Sequence, residues 1–247
     1  MALGKRSRNI YDPGSTKPFK ISRSKIDLFG RCPRCFYLDR RLGVGRVPGP
    51  PFLINSATDT LLKKEFDSYR EIQAPHPLMV EHRINAVPFQ HPDLDAWRAN
   101  FTGVQVHHAE TNLTITGAID DVWITPAGRL LVVDYKSTST TKPITLKGKW
   151  KESYKRQMEV YQWLLRQNGF DVSNTGYFVY VNADTQLDAF NGQLVFQTFL
   201  LKHQGNDRWV EPTIIAAHAC MSADEAPEAD EQCEWCAYRR AATDEGV

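Results

Sequence analysis

The sequence has no apolar run approaching the ~18–20 residues that a bilayer span needs, and its mean hydropathy is −0.44. An integral membrane protein is therefore not expected, and no membrane partner either. Net charge is nearly absent. Thirty Lys and Arg against 29 Asp and Glu leave a formal +1, so overall charge alone implies no nucleic-acid partner. Cysteine is scarce and odd in number, five in 247 residues, which argues against a disulfide framework. No repeat or low-complexity segment is evident. Met1–Lys20 is basic and polar and lacks the apolar core of a secretory signal. A cytoplasmic location is expected.

What is present is unevenly placed. Residues 1–50 hold twelve Lys or Arg against three Asp, and residues 221–247 hold eight acids against two arginines. A second basic cluster runs Lys142, Lys147, Lys149, Lys151, Lys155 and Arg156. Such stretches can neutralise phosphates, although solvated helix faces and a basic arm would read the same way. Four of the five cysteines form two pairs, Cys32-Pro-Arg-Cys35 and Cys233-Glu-Trp-Cys236. CxxC pairs of this kind point to a metal site in a reducing compartment. If the pairs meet, the metal staples the two ends of the chain together.

Patterning gives a mixed α/β or α+β domain. Residues 1–20 read as a flexible basic arm, 21–240 as one domain and 241–247 as a tail. Ile21–Leu42 reads as helical, with Ser22 or Ser24 as cap and a break at Pro33. A Pro- and Gly-rich loop follows over Gly43–Pro51. Asn55–Tyr69 is amphipathic, with Leu61, Leu62 and Phe66 at helical spacing. Residues 75–112 resist assignment apart from a short helix near Asp93–Phe101. Leu113–Ile124 and Arg129–Lys136 read as a β-hairpin. The four apolar residues Leu130–Val133 suggest a strand buried on both faces. A helix is predicted from Lys151 to Asn168, ended by Gly169. Strands over Gly176–Asn182 and Leu194–Lys202 and a helix near Val210–Cys220 complete the order.

One constellation carries chemistry. Asp134 and Lys136 are two apart on a strand and share a face, while Tyr135 points the other way. Pairing across the hairpin brings Asp120 near Asp134. Two convergent buried carboxylates are costly unless a cation neutralises them, and oxygen ligands suit Mg²⁺ or Mn²⁺. A lysine beside the metal can stabilise a hydroxide and offset charge developing on phosphate. Taken alone, Asp-x-Lys is a weak signal that a surface ion pair on a hairpin explains better. Gln157 and Tyr161, at i and i+4, share one helix face and can bind phosphate or orient the lysine. Asp59 can add a third carboxylate. Most tryptophans are expected in the core. Trp150, set among lysines, is the exception, where a single strand could stack.

The series GAIDDVW, VVDYK and QMEVY, in that order, resembles the PD-(D/E)XK nuclease superfamily. The segments ISRSKIDLFGRCPRCFYLDRR and CEWCAYRR are similar to the RecB-like branch, which includes CRISPR-associated iron–sulfur exonucleases. The resemblance spans residues 21–240. It implies a restriction-endonuclease-like core, with a central mixed β-sheet flanked by helices and a Cys-rich metal staple joining the N- and C-terminal segments. It implies that Asp120, Asp134 and the Tyr135 carbonyl bind Mg²⁺ or Mn²⁺, that Lys136 assists the attacking water, and that Gln157 and Tyr161 match the motif on the following helix. Asp59 stands where the family usually has a His, and is a further metal ligand. Cys32, Cys35, Cys233 and Cys236 would hold a [4Fe–4S] cluster, with Zn²⁺ as the alternative. The departure from the branch is that only two cysteines lie in the tail, where three are usual.

The function implied is a metal-dependent deoxyribonuclease acting in DNA repair, recombination or CRISPR-type processing. Its substrate would be DNA that is single-stranded or has single-stranded ends, and its partner a helicase or a CRISPR adaptation complex. The alternative is a catalytically idle nucleic-acid-binding or scaffolding subunit with a structural metal site.

Overall fold

A computed structural model describes residues 5–47, 49 and 52–245. Residues 1–4 of the expected arm, 48, 50 and 51 of the Pro- and Gly-rich loop, and 246–247 of the tail lie outside the described residues. In chain order the elements are β1 (Phe19–Ser22), α1 (Arg23–Arg31), α2 (Pro33–Arg40), α3 (Leu53–Glu71), α4 (Pro77–Glu81), β2 (Val87–Pro88), α5 (Leu94–Arg98), β3 (Val104–His108), β4 (Leu113–Gly117), β5 (Asp121–Ile124) and β6 (Leu130–Thr138). There follow α6 (Glu152–Gln167), β7 (Thr175–Ala183), β8 (Phe196–Gln204), α7 (Val210–Ser222) and α8 (Glu234–Asp244). The chain divides into two compact units.

The larger unit comprises Pro51–Val104 and Gly117–Asp207. Its five-stranded sheet has the order β2-β5-β6-β7-β8 and is mixed. β6 runs antiparallel to β5 and parallel to β7. A parallel neighbour requires a crossover, and α6 supplies it. The central strand β6 is covered on both faces, which explains its continuous apolar start. Leu131, Val133 and Tyr135 pack with Phe66 of α3, Met79 of α4, Trp123 and Val179. The alternate residues face α6. There Gly176 of β7 gives Met158 room, since a Cβ would stand 2.1 Å from its Sδ. α6 forms where predicted, and Gly169 follows it at φ +86°, as a helix-ending glycine does.

The smaller unit comprises Met1–Pro50, Gln105–Thr116 and Arg208–Val247. α1, α2 and α7 pack together there. The break at Pro33 is as predicted: α1 stops at Arg31 and α2 restarts with Pro33 at its first turn, where a missing N–H costs nothing. Tyr11 is buried, and its hydroxyl reaches His218 Nε2 at 2.9 Å and Ser222 Oγ at 3.1 Å. Asp39, also buried, collects Arg6, Lys25 and Arg40.

One predicted element is two. Leu113–Ile124 does not run on as a single strand. β4 pairs parallel with β1 in a three-stranded sheet, order β1-β4-β3, whereas β5 joins the larger sheet. Between them Ile119 is fully buried and its amide donates to the Trp97 carbonyl at 3.1 Å. Regular alternation on both sides of the break concealed it.

Candidate active site and cysteine cluster

β5 ends its pairing with β6 at Asp121↔Val133. Beyond that point β6 continues, so the amide and carbonyl of Tyr135 face an edge that β5 no longer covers. The chain fills half of that gap itself, because Asp120 Oδ2 accepts from the Tyr135 amide at 2.9 Å. The hairpin register therefore places Asp120 beside Asp134 and Lys136. Asp134 is completely buried and forms an ion pair with Lys136 Nζ. The same Nζ lies 3.4 Å from the Tyr135 carbonyl oxygen. Burial alone would pull the Lys136 pKa down, but Asp134 and then Asp120 outweigh it, and the group is held above its ordinary value.

The neighbouring aspartate does a different job. Asp121 points to the opposite face, fully buried, where it accepts from Arg70, from Arg98 at 3.1 Å and from the Tyr135 hydroxyl at 2.7 Å. Burial, then the Asp121 charge, push the Tyr135 pKa well up, so its hydroxyl remains a donor. This network pins the first residue of β5 and with it Asp120. The pair Asp120-Asp121 was legible as acidic, but the division of labour was not, because Arg70 and Arg98 come from distant helices.

The other predicted residues are placed as follows. Gln157 and Tyr161 are both buried on α6, and Gln157 Nε2 donates to the Tyr161 hydroxyl at 2.9 Å. Tyr161 is near enough to influence the charge on Lys136. Asp59, on α3, is linked to Asp120 through Lys63. Lys63 Nζ is 2.8 Å from Asp59 Oδ2 and 3.6 Å from Asp120 Oδ1. Lys63 was missed in the sequence, although its i,i+4 spacing from Asp59 was a usable signal. The oxygen set of Asp120, Asp134 and the Tyr135 carbonyl is all hard donors, and could hold a divalent cation of the Mg²⁺ or Mn²⁺ type.

In the smaller unit the two CxxC pairs do meet. Cys32, Cys35, Cys233 and Cys236 are all buried, with their sulfurs within 4.8 Å of one another. Individual separations are 3.6 Å for Cys32–Cys236, 3.6 Å for Cys35–Cys233 and 3.9 Å for Cys35–Cys236. The Cys35 amide donates to Cys32 Sγ at 3.4 Å. Arg46 approaches Cys233 Sγ at 3.4 Å and Arg239 approaches Cys35 Sγ at 3.9 Å. Two guanidiniums there could offset the negative charge of a thiolate-bound metal. Cys220 stands apart, with its pKa pushed up to about 11 by burial.

Fold and site define a class: a mixed sheet flanked by helices that gathers two carboxylates and a lysine at a strand end, in a chain whose other unit bears a four-cysteine cluster. The chain belongs to the PD-(D/E)XK nuclease superfamily, whose family model matches residues 53–241. Among solved structures it is similar to SSO0001, with TM-score 0.31 and 14% identity over 90% of this chain and 84% of that one. It is also similar to an alkaline exonuclease (LHK-Exo) from Laribacter hongkongensis, with TM-score 0.38 and 11% identity over 92% of this chain and 95% of that one. The same enzyme in complex with dAMP gives the same figures. A comparison with curated proteins finds no match. Among the described residues no helix is long and apolar enough to cross a membrane.

Proposed function

We propose that this protein is a Mg²⁺- or Mn²⁺-dependent deoxyribonuclease of the RecB-like branch, cytoplasmic, acting on DNA that is single-stranded or has single-stranded ends. The observation that carries the reading is the convergence of Asp120, Asp134 and Lys136 where β6 outruns β5. Asp120, Asp134 and the Tyr135 carbonyl would hold the cation, with Asp59 as a further ligand. When bound, such a cation lowers the pKa of a water and draws charge from the phosphate. The chain's own residues do the rest. The Tyr135 amide fixes the rotamer of Asp120. Lys136, kept charged by its two aspartates, donates a hydrogen bond to the attacking oxygen and offsets charge as it builds on the phosphate. Gln157 holds the Tyr161 hydroxyl, which orients the phosphate or Lys136. Repair, recombination or CRISPR-type DNA processing suits such an activity, with a helicase or CRISPR adaptation complex as partner.

The four cysteines bind a structural metal. The resemblance to the branch implies [4Fe–4S], but the sulfur spacing supports the alternative, Zn²⁺. One tetrahedral ion with Zn–S of ~2.3 Å sets its sulfurs about 3.8 Å apart. A cubane gives each cysteine its own iron and spreads the sulfurs to roughly 6 Å.

The test of the nuclease reading is cleavage of 5′- and 3′-labelled single- and double-stranded DNA with Mg²⁺ or Mn²⁺. Wild type should cleave, and Lys136→Ala and Asp134→Ala should each lose ~10²-fold or more, the scale on which removing one charge-stabilising group acts. DNA binding without turnover would instead favour the idle-subunit reading. Cleavage indifferent to both substitutions would remove the assignment.

A further inference from the structure

A second group of side chains leads outward from Lys136. Its Nζ lies 5.0 Å from the centroid of the Tyr154 ring. Tyr154 in turn stands 6.0 Å from Trp150, ring to ring. Trp150 is 68% exposed, unlike Trp123, Trp163 and Trp97, which are buried. An indole left in water beside a helix start forfeits one of the largest apolar burials available. Lys151 sits among these rings: its Nζ is 4.7 Å from the Trp150 centroid, 5.1 Å from Tyr154 and 4.7 Å from Tyr180, and donates to the Tyr180 hydroxyl at 2.8 Å. The rings hold this ammonium in place with no carboxylate paired to it among the described residues, so its positive charge is left for another anion.

The surface continues past Tyr180. Asn182, two residues on and so on the same face of β7, lines an open groove of about 490 Å³ with Lys142, Thr140, Ile144 and Phe199. Asn182 and Thr140 tie its walls together through two hydrogen bonds, of 2.9 and 3.0 Å. From Lys136 outward there are thus an aromatic, a fixed cation, an exposed indole and a groove bearing another cation. Stacking faces alternating with positive charges are what an unpaired strand offers partners for, because its bases are free to stack and its phosphates lie between them. A duplex keeps its bases stacked on each other and would use only the charges.

We infer that Trp150, with Lys151 beside it, is a stacking platform for an unpaired nucleotide, next to the phosphate held at Lys136. The inference rests on the nuclease reading for the direction in which the strand runs, and gives that reading its preference for single strands. Trp150 and Lys151 are substrate-binding residues, one taking a base face and the other a phosphate oxygen.

The test is binding without turnover. Fluorescence anisotropy, with no Mg²⁺ or Mn²⁺ added and no chelator, would be measured for a labelled 20-mer oligothymidylate, an abasic strand of equal length and a blunt duplex. Trp150→Ala should weaken oligothymidylate binding about tenfold or more, the range seen when one stacking aromatic is removed. Trp150→Phe should restore most of it. The abasic strand and the duplex should bind wild type and Trp150→Ala within twofold of each other. Equal binding of oligothymidylate by wild type and Trp150→Ala, or a parallel loss on all three substrates, overturns the platform. Cleavage is scored separately with Mg²⁺ or Mn²⁺. Wild-type cleavage with no Trp150→Ala effect sinks the platform and leaves the nuclease reading. Stacking-dependent binding with no cleavage in any metal does the reverse.

Discussion

At the scale of single residues, this chain repeatedly solves the same problem, a carboxylate taken out of water. Asp134 meets Lys136, Asp121 meets two arginines and a phenol, and Asp39 meets Arg6, Lys25 and Arg40. The Asp39 site is structural and gives a prediction separate from catalysis. Burial would raise the Asp39 pKa, but Lys25 and Arg40 outweigh it and hold the carboxyl below its ordinary value. A depressed folded-state pKa contributes stability that is present above the unfolded value, ~3.9, and is lost as pH falls through the folded one. Asp39→Asn leaves Lys25 and Arg40 without their counter-charge and should cost about 3 kcal/mol near neutral pH. Urea unfolding from pH 7 down to pH 3 checks it. The gap between wild type and variant should be largest near neutrality and narrow below pH 4. A gap that stays constant over that range would show that the charge on Asp39 is not what stabilises the unit.

At the scale of elements, what the sequence revealed depended on whether the signal was local. α3, α6, β6, β7 and β8 were readable because their periodicity, caps and apolar runs lie within the segment itself. The Asp134/Lys136 face followed from strand alternation, and the approach of Asp120 from hairpin register. β2, β3 and α4 were not readable. β2 has two residues and exists only because β5 pairs with it, and α4 has five. The split of β4 from β5 was hidden for the same reason: nothing in Leu113–Ile124 says which sheet each half will join. Gly117, the last residue of β4, holds the best clue. A Cβ there would stand 2.7 Å from Tyr161 Cε1 and 3.0 Å from Leu164 Cδ1 on α6. The glycine is what lets α6 approach closely enough to bring Tyr161 toward Lys136. Gly117→Ala should therefore displace a buried ring, costing about 1–3 kcal/mol as overpacking does, and should lower cleavage more than its stability loss explains. Thermal melts and cleavage rates at a temperature where the variant is fully folded separate the two. Wild-type values in both would mean the ring has room that the contact denies.

At the scale of the whole molecule, one unit carries the carboxylates and lysine, and the other carries the cysteines. The smaller unit is assembled from three separated stretches of chain, and its helices α1, α2 and α7 are short to moderate in length. Closing stretches so distant in sequence costs loop entropy, and a small core repays little of it. Four buried thiolates on one ion would offset more, because a site that does not exist in the unfolded chain turns metal affinity into folding free energy. The proposal that the ion is zinc has a direct test. Protein purified without added metal should carry about one zinc per chain by elemental analysis, little iron, and no brown absorbance near ~400 nm, since a d¹⁰ ion is colourless. Cys35→Ser or Cys236→Ser should lose that zinc and expose the N-terminal 50 residues and the α8 segment to protease first, because those stretches bear the ligands. A brown protein with about four irons per chain would mean that the four sulfurs, all within 4.8 Å of one another, open to admit a cluster, and would return the site to the iron–sulfur chemistry implied by the RecB-like resemblance.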